Sequence, residues 1–153
     1  MNANLIAQKA MTSPAQSKVS LIEQELAKCP QIGLPLVHRF TPGLYIREIF
    51  MPRGTLVISK IHKTEHPFVC LKGHCAVWTE EKGVVQVRAG DIGITKPGTR
   101  RILYMHESTV WVTFHPTPKT DLKEIEDDVI YDPKKHAVAD VDQDLVRQLI
   151  SSC

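Results

Sequence analysis

Residues 59–75, SKIHKTEHPFVCLKGHC, hold three histidines, two cysteines and three lysines. Imidazole and thiolate are the donors of transition-metal sites, and two or three of them held together bind an ion. His62 and His66 lie four residues apart, and on a strand–loop–strand segment they can converge. His106, just past an apolar run, is the best third donor. The expectation for cofactors is therefore none, or one divalent transition metal (Zn, Fe, Ni or Mn) on His62, His66 and His106. A different chemistry follows from Lys60, Arg100 and Arg101. If Lys60 and one arginine point inward, the pocket is cationic and suits a carboxylate, a phosphate or an acidic sugar. Arg100 and Arg101 must point to opposite faces of a strand, so one of them at most does so. The expected anion pair is Lys60 with Arg101.

Other chemistries find less support. His74 and Cys75 are adjacent on a strand and cannot converge as a nucleophile and its base. Cys29, Cys70, Cys75 and Cys153 show no CxxC spacing and read as thiols of a reducing compartment, some of them small core residues. No phosphate-binding glycine loop, GxSxG or HExxH occurs. Glu80 and Glu81 sit side by side at a hairpin shoulder, unlike paired carboxylates that work across a cleft. Asp127, Asp128 and Asp132 lack EF-hand spacing.

The elements that must position these groups are mostly strands. Short β-prone runs occur at Leu36–Phe40, Leu44–Met51, Thr55–Ile61, Pro67–Leu71, His74–Glu80, Val84–Arg88, Asp91–Thr95, Arg100–Met105 and Thr109–His115. The turns between them are TPG, MPRG, LKG, EKG, AGD and KPG. No connection is long enough for a crossover helix, so a parallel sheet is excluded and a sandwich or barrel remains. Alternation puts Trp111 and Thr113 on one face and Val110, Val112 and Phe114 on the other. Ser20-Leu-Ile-Glu23 has capping-box spacing and opens a helix that Pro30 stops, with Leu21, Ile22 and Leu26 as its apolar stripe. In the tail, Asp121–Ile125 and Asp142–Ile150 read as short helical pieces with VIYDP extended between them.

With 153 residues, one domain is expected: a flexible 1–16, a body at 17–118 and a C-terminal arm at 119–153. The net charge of +2, from 19 Lys and Arg against 17 Asp and Glu, lacks the concentrated basic patch that nucleic acid demands. No apolar stretch reaches the ~20 residues of a membrane span, and the N-terminus shows no signal-peptide pattern. Cytoplasmic synthesis is expected.

Residues 44–115 resemble the cupin superfamily, a small antiparallel jelly-roll barrel. Its first motif is matched by Gly54 and by Gly73 as closing glycine. His66 falls at the family's glutamate position, His62 at its second histidine and Lys60 at its first. The second motif is matched by GDIGITKPGTRR, with Gly90, Asp91, Pro97 and Gly98 in register and Arg101 in place of the last histidine. The resemblance implies an all-β chain: a single cupin-like jelly-roll barrel with a short N-terminal helix and an irregular, partly helical C-terminal arm. The family's metal sites use three histidines and a carboxylate, whereas here two cations replace two ligands. The stretch from VISKIH to VTFHP also resembles small proteins of tailed-phage genomes.

The leading expectation is a non-enzymatic structural or assembly module, plausibly a phage virion or tail component, acting through homo-oligomerisation and contacts with other virion proteins. In that role Leu21, Ile22 and Leu26 meet a partner. The alternatives are a divergent metal-dependent oxygenase or isomerase, and a small-anion-binding cupin.

Overall fold

The computed structural model of the chain describes residues 14–131, 136–139, 144, 146 and 147. Helix α1 (Pro14–Leu26) is followed by nine strands: β1 (Leu36–Thr41), β2 (Leu44–Met51), β3 (Leu56–Ile58), β4 (His66–Lys72), β5 (His74–Thr79), β6 (Gly83–Arg88), β7 (Ile92–Thr95), β8 (Ile102–Met105) and β9 (Thr109–Pro116). Helix α2 (Leu122–Val129) and strand β10 (His136–Val138) complete the described elements. Each of the nine expected runs holds one of the strands β1 to β9, because each is a short β-prone run between turn residues; β3 and β8, buried throughout, are continuously apolar rather than alternating. Two antiparallel sheets result. Sheet I has the order β1-β2-β9-β4-β7, and sheet II the order β10-β3-β8-β5-β6.

The expected closed jelly-roll barrel is not formed. The sheets share no strand, and no ladder among the described residues joins the edges β1 and β7 to the edges β10 and β6. The chain changes sheet at its turns. β6 pairs with β5, and after Gly90, at a φ of 94°, the next strand β7 pairs with β4 in the other sheet. The architecture is a two-sheet sandwich.

Its core lies between the sheets. Met51, Cys70 and Trp111 of sheet I meet Val57, Cys75, Val77, Leu103 and Met105 of sheet II. Burial pushes both thiols up, Cys75 to about 12, so they stay protonated and serve as small apolar groups. Gly73 closes the β4–β5 hairpin against the start of β9. At a φ of 95°, a Cβ there would stand 2.3 Å from the Ser108 carbonyl oxygen, so no side chain fits.

A second apolar layer lies behind sheet II. Val19, Ile22 and Leu26 of α1 pack on Leu56, Ile58, Trp78, Ile102 and Tyr104. Burial of each of those three side chains is worth about 2 kcal/mol before entropy is counted. Ile22 and Leu26 are thus spent within the chain rather than on a partner, and only Leu21 of the expected stripe is exposed. The helix also begins six residues before Ser20. Ser20 is no cap: its hydroxyl accepts from Arg100 Nη1 at 3.2 Å. In the tail, Asp121 caps α2 by accepting from the Glu124 N–H at 2.9 Å. Most of the expected helix at Asp142–Ile150 lies outside the described residues, as do residues 1–13.

Candidate functional site

The two arginines before β8 point apart, as strand alternation requires. Arg100 turns outward beneath α1 and pairs with Glu23. Arg101 turns inward. Its backbone is fixed first: Ser59 N–H donates to the Arg101 carbonyl at 2.9 Å, and the Arg101 N–H donates to Ser59 Oγ at 2.9 Å. Its guanidinium then reaches across to sheet I, where Nη2 donates to Thr95 Oγ1 at 2.6 Å. The group lies 5.2 Å from the ring centre of Phe68 and 5.8 Å from that of Trp111, two rings stacked on each other at 4.4 Å. Such contacts attract a cation to an aromatic face.

Arg101 is 8% exposed, and no carboxylate pairs with it among the described residues. Burial brings its pKa down to about 10, which leaves it charged at neutral pH. It borders a cleft of about 660 Å³ between the β6 edge of sheet II and the β7 edge of sheet I. Phe68, Val77, Val87 and Trp111 give that cleft apolar walls, and Glu80, Glu81, Lys82 and Lys96 also line it. Gly93 keeps the space beside Phe68, since a Cβ there would stand 2.6 Å from the Phe68 ring.

Lys60 takes a different course. It pairs with Glu126 of α2, and it is not among the residues that line the cleft. A local reading of the strand could not anticipate a partner 66 residues away.

The histidines divide into two groups. His62 and His66 are brought together, with ring centres 5.0 Å apart, and His115 of β9 stands 4.3 Å from His66. His106 lies elsewhere, 4.7 Å from His74 and edge-on to Tyr104. His115 was legible in the sequence: two residues beyond Thr113, it shares the inward face with Trp111. The rings continue through Tyr45, 5.7 Å from His115, to Phe40, 5.2 Å further on.

The three clustered imidazoles are all held neutral. Burial is the largest cause in each, lowering His66 to about 4, His115 to about 3 and His62 well below its ordinary value. Arg101 acts next on His62, Arg101 and Arg47 act on His66, and His66 and Arg47 act on His115. Because His66 Nδ1 must donate to the Thr64 carbonyl, at 3.0 Å, its Nε2 is a buried lone pair. Neither His66 Nε2 nor His115 Nδ1 meets a protein partner among the described residues.

This donor set does not fit a metal ion. Among the described residues no three His, Cys, Asp or Glu side chains are placed to hold one, which corrects the metal-binding expectation. His62 Nδ1 is taken by the Thr99 carbonyl at 3.2 Å, and the charges acting on the rings are guanidinium groups rather than carboxylates. What the arrangement offers is positive potential, an apolar wall and neutral imidazoles behind it.

No protein-family model matches the chain, and no curated protein matches it. Solved structures do. Ectoine synthase from P. lautus superposes with a TM-score of 0.56 at 12% identity, over 78% of this chain and 90% of that one. An uncharacterised conserved protein with a double-stranded β-helix domain from Klebsiella pneumoniae gives 0.50 at 17% identity, over 64% and 89%. A cupin-2 domain-containing protein from Shewanella frigidimarina gives 0.45 at 13%, over 67% and 98%. At such identities the likeness is one of fold: the chain carries the cupin-like, double-stranded β-helix arrangement of two antiparallel sheets.

Proposed function

We propose that this protein binds a small organic carboxylate in the cleft between its sheets, with Arg101 as the anchoring group. The observation that carries the reading is a buried arginine, backed by two stacked rings, with no carboxylate among the described residues to pair it. A buried charge without a counterion is costly, and an incoming anion relieves that cost. The planar guanidinium fork matches a carboxylate, and the walls of Phe68, Val77 and Trp111 suit an apolar body attached to it. Glu80 and Glu81 line the cleft beside Lys82 and Lys96, and Lys96 stands 3.7 Å from Glu81, which offsets the charge at that end.

Titration of the protein with small aliphatic and aromatic monocarboxylates, beside phosphate and sulfate at matched ionic strength, tests this by calorimetry. Saturable binding of a monocarboxylate is expected, weakened at least about tenfold by Arg101→Met and less by Arg101→Lys. The same Arg101→Met change is expected to raise the stability of the ligand-free protein by about 1 kcal/mol, because a buried cation gives way to packed apolar surface. Binding that survives Arg101→Met, or no binding by any acid, overturns the reading.

A second reading, a structural or assembly module of a phage particle, draws on an apolar face that sheet I leaves exposed. Light scattering and pull-down with virion proteins test it.

A further inference from the structure

The cleft that Arg101 borders is walled by the open edges of both sheets. Among the described residues, β6 ends the order of sheet II and pairs only with β5, and β7 ends that of sheet I and pairs only with β4. An edge strand turns every second N–H and C=O away from its sheet. Beyond those two ladders, the backbone of residues 83–87 and 92–95 makes no hydrogen bond among the described residues. Natural edges are guarded by charge, proline or a bulge. These two carry Val84-Val85-Gln86-Val87 and Ile92-Gly93-Ile94-Thr95, with none of the three and with unshifted registers. Val84, Val85, Ile92 and Ile94 are all exposed. The turn at residues 89–91 carries the chain from one edge into the other, so the two edges run in opposite directions along the cleft. Lys96, just past β7, stands 3.7 Å from Glu81, just before β6, so Thr95 and Gly83 mark the same end. Arg101 is at that end, joined to Thr95 Oγ1.

We propose that the carboxylate held by Arg101 is the C-terminal one of a short extended peptide, added as a strand along the β6 edge; this rests on the carboxylate reading of the cleft and names its ligand class. Three features favour a chain terminus. The first is the pair of edges themselves. A simple acid satisfies Arg101 and leaves both edges unpaired, whereas an extended backbone supplies the donors and acceptors that an edge lacks. The second is direction. With its carboxylate at the Thr95 and Gly83 end, the peptide runs antiparallel to β6, the more stable kind of ladder. The third is fit. The four residues of β7, at about 3.3 Å each, give the cleft room for about four extended residues. Alternate side chains of such a peptide turn inward to Phe68, Val77 and Trp111, which suits apolar residues at every second position. A strand within a second copy brings no carboxylate from its backbone, and a whole incoming sheet would run into the β7 edge across the cleft.

The test is calorimetric titration of the full, unaltered chain with an acetylated four-residue peptide of alternating threonine and valine, ending in valine, beside acetylvaline alone. The peptide is expected to bind at least about tenfold more tightly than acetylvaline, and to lose at least about tenfold when its carboxylate is amidated. N-methylation of the peptide amides should cost a similar factor, because it removes the donors to β6 while leaving the carboxylate in place. Amide hydrogen exchange of residues 84–87 should slow when the peptide is bound. Acetylvaline that binds as tightly as the peptide, with binding lost in Arg101→Met, overturns the peptide and leaves the carboxylate reading standing. No binding by either overturns both. Equal binding of the amidated or the N-methylated peptide overturns the proposal, and so does exchange at residues 84–87 that the peptide leaves unchanged. Self-association of the chain that protects residues 84–87 and excludes the peptide assigns the edge to a second copy, which overturns it too.

Discussion

Acidification from about pH 7.5 to about pH 5 is expected to cost the fold about 4 kcal/mol. His66 and His115 are both buried between the sheets, and their imidazoles accept protons only at about 4 and about 3. In the unfolded chain each titrates near the ordinary value of about 6.5. Above that value neither state holds a proton on these rings, and they contribute no pH dependence. Below it the unfolded chain takes up protons that the folded rings refuse, so stability falls as pH falls, until the folded values are reached. At about pH 5 each ring accounts for about 2 kcal/mol. His62, lowered by burial and by Arg101, acts in the same direction. Urea unfolding at the two pH values measures the loss, and His115→Gln should remove about half of it. Equal midpoints at both would mean that the rings are solvated, or already charged, in the folded protein.

Glu23→Ala is expected to destabilise the protein by about 3–5 kcal/mol. Arg100 is 1% exposed, pairs with Glu23 and donates to Ser20, so the pair fastens α1 to the sandwich. Removing the carboxylate leaves a guanidinium in an apolar layer without that countercharge. Glu23→Gln keeps the shape and a hydrogen-bond acceptor and should cost less. The paired change Glu23→Leu with Arg100→Met should come back close to the starting stability, because apolar packing replaces two desolvated charges. Thermal and urea unfolding of the four proteins measure these differences. A loss under about 1 kcal/mol in Glu23→Ala would show that α1 is not held by this pair.

The same residues show what a sequence can disclose. Ser20 and Glu23 have the spacing of a capping box, and local logic assigned them to each other. Their role is instead to meet an arginine some 80 residues later, which no window along the chain contains. The strands were legible because period-two alternation and turn glycines are local. Whether those strands closed into a barrel was not, since it depends on which edges meet. The same division runs through the site. Alternation placed Arg100 and Arg101 on opposite faces, and applied from Trp111 it also reaches His115. His106 misled because its place after an apolar run says nothing of which sheet face it joins. Lys60 misled because Glu126, on a helix outside the sandwich, takes its charge.

The pairing of β2 with β9 governs how the chain becomes this structure. Leu44–Met51 finds its partner at Thr109–Pro116, and β3 finds β10 at His136–Val138. A nascent chain leaving the ribosome completes the β1–β2 hairpin early, yet the second edge of β2 has no partner until β9 has been made. Loops of about 60 residues must close before those contacts form, which puts folding on the slow side, in milliseconds to seconds. Through that interval the unpaired edge of β2 is open to other chains, so newly made protein is the state most exposed to aggregation. A chain cut before Thr109 lacks the central strand of one sheet and has no route to the native state. The strand synthesised late sets the register of the strand synthesised early.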